Sequence, residues 1–283
     1  MKEDERYCKF ISVYGILLSC QNIDNLCYVL LWPNAINSFI IPDKPFVLVT
    51  HHGDGTFPDD CLDKANEILS SPNLIHWFSQ NLTKLDNKKL SPIPIGINYH
   101  SLYLEEEGNL WWGNGKETPV EQEQFLIELE KKPFYEREIK VYTNFSHSMH
   151  ARIHIGDTRP DREMALEQIP KDLIIIEEHR INRKKNWENM VKYTFTASPL
   201  GNGLDCHRTW EILALGGIPI VRTSSLDVLY EDLPVLIVKE WSDINLNLLK
   251  DTIEKFKHTT FNMEKITTKY WMNKILNMLT SYT

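Results

Sequence analysis

Cysteine is scarce in this chain and shows no pairing pattern. Five cysteines (Cys8, Cys20, Cys27, Cys61, Cys206) are scattered over 283 residues, with no C-x-x-C pair and an odd total. That usage disfavours a disulfide framework and a zinc ribbon, and it fits a reducing compartment. Long hydrophobic runs are missing too: the apolar stretch Ile11–Leu18 is too short to span a bilayer. The opening residues, MKEDERYCKF, are acidic and charged, unlike a signal peptide. The expectation is therefore a cytoplasmic protein without a transmembrane segment. Basic charge is also in deficit. With 31 Lys and Arg against 39 Asp and Glu, the net charge is -8, which argues against a general nucleic-acid binder that works by neutralising phosphates. The local exception, RINRKK at Arg180–Lys185, reads as a solvated run flanking a helix. The chain contains no Asp-x-Asp, no internal repeat and no low-complexity segment.

What is present is the composition of a soluble globular protein, 42% hydrophobic and 25% charged, at a length that suits two domains. Short apolar runs rich in Val and Ile recur at Phe46–Thr50, Leu74–Phe78, Ile139–Asn144, Leu173–Ile176, Tyr193–Ala197, Ile218–Val221 and Val235–Val238. Such runs suit strands covered on both faces of a parallel sheet. Helical patterns alternate with them at Asp60–Leu69, Val120–Lys131, Pro160–Gln168, Asn186–Lys192, Asp205–Leu215 and Leu246–Lys257. The alternation predicts an α/β fold with two Rossmann-like domains facing a cleft. The polar stretch around residues 113–138 marks the boundary. Residues 1–130 form the first domain, 131–262 the second, and a terminal helix over Met263–Leu279 is expected to pack back on the first.

One segment stands out, SPLGNGLDCHRTWEILALGGIPIVRTSSL, from Ser198 to Leu226. A buried strand leads into a turn in which Gly201 and Gly203 flank Asn202 and are free to take positive φ. Asp205 is the expected N-cap of the following helix. Unpaired N–H groups of that first turn and the helix dipole favour an anion there. Arg208 lies in the same turn and offers a guanidinium fork to a diphosphate. Glu211, three residues on, can accept hydrogen bonds from a ribose diol. The competing reading is plain: Arg208 and Glu211 form an exposed i, i+3 ion pair worth a few tenths of a kcal/mol. Each feature alone favours that reading, and their combination favours a phosphate site.

These residues resemble the carboxy-terminal part of exostosin-like glycosyltransferases. The resemblance rests on Pro199, Gly201, Arg208, Trp210-Glu211 and Gly216-Gly217-Ile218-Pro219, and it continues through LYEDLPVLIVKEW at Leu229–Trp241. It covers residues 187–243, about a fifth of the chain. A small, anchorless version is similar to sugar transferases of large DNA viruses of algae, xylosyltransferases among them. The resemblance implies a GT-B type fold, a UDP-sugar donor bound in the second domain, xylose as the sugar, a glycan or glycoprotein acceptor, and inversion at the anomeric carbon. It also implies that Arg208 neutralises the diphosphate and Glu211 holds the ribose. The chain departs from the family at Leu200, where a basic residue often follows the proline. A second arginine is then needed. Arg162 is the choice for it, in the first turn of the helix expected from Pro160, with Arg159 as its rival. Asn144, closing the strand before that loop, completes the donor-contact group with Gly201, Asn202 and Gly203. No metal or other cofactor is expected, since cationic side chains replace the Asp-x-Asp that commonly carries a metal.

In the first half, THHGDGTFPDD follows the strand Phe46–Thr50, so its polar residues are expected to line the cleft. An inverting transfer needs a base for the acceptor hydroxyl, and Asp54, His52 and His51 are the candidates, Asp54 foremost. The same three residues could instead hold a metal in a phosphoesterase. A third reading is a non-catalytic sugar-nucleotide or glycan-binding module. Asn81, Asn98, Tyr99 and His100 are further candidates for sugar contact, and Trp111-Trp112 for a stacking platform, whereas His76 and Trp77 read as core.

Overall fold

Why the apolar runs become strands is visible at Phe46–His51, where all six residues are buried. Val, Leu and Phe cover both faces of the pleat, and only a parallel sheet with helices on each side offers that environment. The computed structural model describes residues 7–84, 86–99, 117–145, 153, 157, 159–179 and 181–281. In the first part of the chain come α1 (Val13–Cys20), β1 (Leu26–Leu30), α2 (Pro33–Asn37), β2 (Phe46–His51), α3 (Leu62–Ser70), β3 (Leu74–Ser79) and β4 (Leu90–Pro92). Their sheet runs β1-β2-β3-β4, parallel throughout. Next is α4 (Pro119–Glu128), opened by proline and by a capping box between Thr118 and Glu121.

The second part contains β5 (Glu138–Thr143), α5 (Asp161–Gln168), β6 (Ile174–Ile176), α6 (Arg183–Met190), β7 (Tyr193–Ala197), α7 (His207–Ala214), β8 (Ile218–Arg222), α8 (Asp227–Tyr230), β9 (Leu236–Val238) and α9 (Leu246–Lys257). These strands form a second parallel sheet in the order β6-β5-β7-β8-β9. The chain is therefore mixed α/β with two parallel sheets. Each of the seven expected strands lies within one residue of its anticipated ends. Two strands were not anticipated: β1, a half-buried edge strand, and β4, three residues ending in a proline. Both lie at edges of their sheet; β1 (LCYVL) is apolar throughout, whereas β4 is short and ends in proline, which an edge tolerates because no ladder bond is lost.

The expected terminal helix is divided. A 3-10 turn covers Met263–Ile266, and α10 (Thr268–Thr280) follows, with the Thr267 hydroxyl accepting from the Tyr270 N–H as its cap. This helix packs on α1 and against β2 and β3. One hydrophobic core fills the first sheet and continues through Trp187, Trp210, Ile212 and Leu213 to the inner side of the second. A smaller core, with Phe195, Ile218, Ile220 and Trp241, covers the other face of the second sheet.

Candidate functional site

The second sheet reverses its winding between β5 and β7. From β5 the chain steps to β6 on one side, and β7 then lies on the other. At such a switch point the loops leaving the carboxyl ends of the two strands diverge and open a crevice. Asn144 leaves β5 there, and the segment Ser198–Cys206 leaves β7.

The glycines of that segment have a steric reason. Positive φ among the described glycines belongs to Gly96 and Gly216, so the backbone freedom expected at Gly201 and Gly203 is not what is used. A Cβ on Gly201 would stand 2.8 Å from Nη2 of Arg162, and one on Gly203 would stand 2.5 Å from Nδ2 of Asn81. A side chain at Gly201 would push the flexible end of Arg162 aside, and one at Gly203 would collide with Asn81, which its own hydrogen bonds hold in place. Asp161, next to Arg162, accepts the N–H of Leu200 at 2.8 Å and the indole N–H of Trp241 at 2.7 Å. The loop and the start of α5 are thus tied together, and Arg162 is carried over the glycines.

Asp205 does not cap α7. The N-cap is Cys206, with no side-chain bond, because the Asp205 carboxylate is engaged elsewhere. It accepts from the Ile95 N–H at 2.7 Å and from the Trp210 indole N–H at 2.9 Å. Asn81, at φ 51°, accepts from the Asp205 N–H at 2.9 Å and donates to the carbonyls of Gly53 and Gly55. These bonds join the loops of the first sheet to the start of α7. Burial pushes the Asp205 carboxyl up to about 7, against its hydrogen bonds, which lower it. A raised carboxyl pKa means that the folded state prefers the proton. Its contribution is fully present below the unfolded pKa, about 3.9, and is lost as pH rises through about 7. Between pH 5 and pH 8 the melting temperature should therefore fall more in the parent than in Asp205→Asn. Parallel melting curves across pH check this, and equal slopes would show that Asp205 does not titrate in that window.

A cleft of about 200 Å³ lies at this junction. Its lining includes Asn144, Arg162, Gly201, Asn202, Gly203, Arg208 and Glu211 from the second half, and Asp54 from the first. Arg208 donates from Nε to the Asn144 amide oxygen at 3.2 Å and lies 5.4 Å from the Phe145 ring centre. Its pKa is lowered to about 10, chiefly by burial and also by the neighbouring positive charge of Arg162, with Cys206 and Glu211 acting the other way. The guanidinium stays charged at neutral pH. Two half-buried cations lining one cleft favour an anion between them. Glu211 is buried and sits 3.7 Å from Arg183, so an exposed Arg208–Glu211 pair is not the arrangement observed. Arg159 is a different case: its guanidinium forms an exposed pair with Glu167 at 2.6 Å.

Of the three candidate bases, the cleft lining includes Asp54 and neither histidine. Asp54 is exposed, with Oδ2 3.4 Å from the Asn202 amide nitrogen. His51 is fully buried, with Nε2 2.8 Å from the Pro94 carbonyl, and burial pushes its pKa down to about 4. His52 has φ 60° and turns its ring toward Tyr14, with 5.4 Å between ring centres. The carbonyl of His52 accepts from the Trp32 indole, and its N–H donates to Gln80. The three side chains thus point to different surroundings rather than converging. Among the described residues, no group of three or more His, Cys, Asp or Glu comes together as a metal-ligand set.

Of the other candidates, Asn98 lines the cleft, while Asn81 is committed to the loops it joins. The hydroxyl of the buried Tyr99 donates to Glu123 at 3.1 Å. His76 and Trp77 are buried, the former on Ser91 and the latter on Thr50. His100, Trp111 and Trp112 lie outside the described residues.

Arg183, Asn186 and His207 are among the lining residues that the sequence reading missed. Arg183, assigned to a solvated run, is buried, with Nη1 2.6 Å from the Gln122 amide oxygen and the guanidinium over Trp187. Asn186 lies one turn further along the same face of α6. His207, at the first position of α7, has Nδ1 2.7 Å from the Gly96 carbonyl. The signal for the first two was available: Arg183, Asn186, Trp187 and Met190 recur at helical spacing, so the polar pair shares a face with a tryptophan and a methionine. No protein-family model and no curated protein matches the chain.

Proposed function

We propose that this protein is an inverting, metal-independent glycosyltransferase that moves a sugar, xylose foremost, from a UDP-sugar to a glycan or glycoprotein hydroxyl. On this reading the two parallel sheets belong to Rossmann-like domains of GT-B type. Residues 1–130, joined by the C-terminal helix, form the acceptor side, and residues 131–262 form the donor side. The observation that carries the reading is the cleft itself. Arg162 and Arg208 line it beside the glycine loop and the start of α7, and Asp54 lines it from the other half of the chain. At about 200 Å³ the space suits a diphosphate rather than a whole nucleotide sugar, since pockets for drug-sized ligands run from about 300 to 1,000 Å³. The nucleoside would extend toward Glu211 and the sugar toward Asp54.

The chemistry then follows from charge. As the bond from the anomeric carbon to the diphosphate breaks, negative charge builds on the leaving oxygen, and two fixed guanidinium groups stabilise it without reorganising. The acceptor hydroxyl attacks from the opposite side while the Asp54 carboxylate takes its proton. Inversion is the stereochemical consequence. A panel of UDP-xylose, UDP-galactose, UDP-glucuronate, UDP-N-acetylglucosamine and GDP-fucose, run with chelator present and scored by hydrolysis or thermal shift, tests the assignment. A UDP-sugar, with UDP-xylose foremost, should give the largest response. Preference for the GDP-sugar, or phosphatase activity lost on chelation, would overturn it.

A further inference from the structure

Asn186 carries a cost that the folded chain alone does not explain. The residue is 8% exposed, and its amide oxygen is buried without a hydrogen-bond partner. Its amide nitrogen reaches only the Met190 sulfur, at 4.0 Å, a weak acceptor. Buried polar atoms are nearly always paired, and leaving one unpaired destabilises the fold. A leucine of similar size would fit the apolar face that Trp187 and Met190 share on α6 at no such cost. Yet Asn186 lines the same cleft as Glu211 and Arg183. Arg183 stands one turn before it and approaches Glu211 to 3.7 Å. Asn186 thus shares a buried face of α6 with Arg183, the neighbour of the Glu211 carboxylate that would receive the nucleoside.

We propose that Asn186 is a specificity-determining residue whose side-chain carbonyl accepts a hydrogen bond from the nucleoside of the bound nucleoside diphosphate. The inference rests on the nucleotide-site reading above and adds the group that distinguishes a nucleoside diphosphate from pyrophosphate alone. Two nucleoside groups can supply the bond, a ribose hydroxyl or the imide N–H of the base. Both are donors that would satisfy a buried carbonyl. In the ligand-free protein the same oxygen is a liability, so the residue trades stability for recognition.

The test uses the full chain, Asn186→Leu and Asn186→Ala, titrated calorimetrically with UDP, 2′-deoxy-UDP, N3-methyl-UDP and pyrophosphate. Asn186→Leu should weaken UDP about 5- to 150-fold, leave pyrophosphate within about twofold, and melt at or above the parent temperature without ligand. One of the two modified nucleotides should bind the parent as weakly as UDP binds the leucine variant, and should lose little more in that variant. Loss with 2′-deoxy-UDP identifies the ribose hydroxyl, and loss with N3-methyl-UDP identifies the base imide. Unchanged UDP affinity in both variants overturns the proposal, as does an equal loss of UDP and pyrophosphate. If the parent binds neither UDP nor pyrophosphate, the underlying site assignment is what fails.

Discussion

Asp54→Asn should retain UDP affinity and lower sugar transfer by about 10²–10⁴-fold, the scale on which general-base catalysis contributes. The substitution keeps the shape and removes the charge, so it separates proton transfer from donor binding. Asp54 is exposed at the cleft, and the amide of Asn202 is its neighbour at 3.4 Å. An exposed carboxylate is accessible to an acceptor. His51 is not: it is fully buried, with its Nε2 on a backbone carbonyl. His51→Ala should therefore act through stability, and His52→Ala through the loop that holds Asp54. Steady-state rates with calorimetric UDP affinities for the three variants decide the matter. Turnover equal to the parent in Asp54→Asn would remove it as the base, and loss of UDP binding would show that donor and acceptor sides are misassigned.

Arg208→Ala should weaken UDP and pyrophosphate alike, by about 10- to 150-fold, as expected for one charge-assisted bond to phosphate worth about 1.5–3 kcal/mol. The ligand-free protein should lose little stability. Burial and the neighbouring Arg162 both act against the charged form of Arg208, so its removal relieves repulsion while giving up the Asn144 bond and the contact with Phe145. Arg208→Lys keeps the charge without the planar fork, and its affinity should fall between alanine and parent. Calorimetry with both ligands beside melting curves checks this. Unchanged affinity together with a large drop in melting temperature would make Arg208 a structural residue.

The parallel strands were legible because burial on both faces favours a continuous apolar run, as at Phe46–Val49 of β2. Strand β4 escaped because three residues ending in proline make no such run, whereas the apolar run of β1 was there to be read. At the site, Arg208, Glu211 and the glycine loop could be read from local order alone, since one strand, loop and helix supply them all. The purpose of the glycines could not be read that way. Gly201 answers to Arg162 and Gly203 to Asn81, partners 39 and 122 positions earlier in the chain, which only the fold brings close. Asp205 misled for the same reason: its cap-like position is real, but Ile95 and Trp210 claim the carboxylate. Arg183 was hidden by its basic neighbours, which drew attention to charge rather than to helical phase.

On the proposed reading, the cleft between Asp54 and Arg208 is a nucleoside diphosphate site that needs no metal. Titrating UDP into the parent protein with excess chelator, and repeating the titration with Arg208→Ala, addresses it most directly. Saturable binding of one UDP per chain is expected in chelator, weakened at least about tenfold in the variant, the lower end of the loss expected for one charge-assisted phosphate bond. Absence of UDP binding until a divalent metal is restored, or binding that Arg208→Ala leaves unchanged, would contradict it.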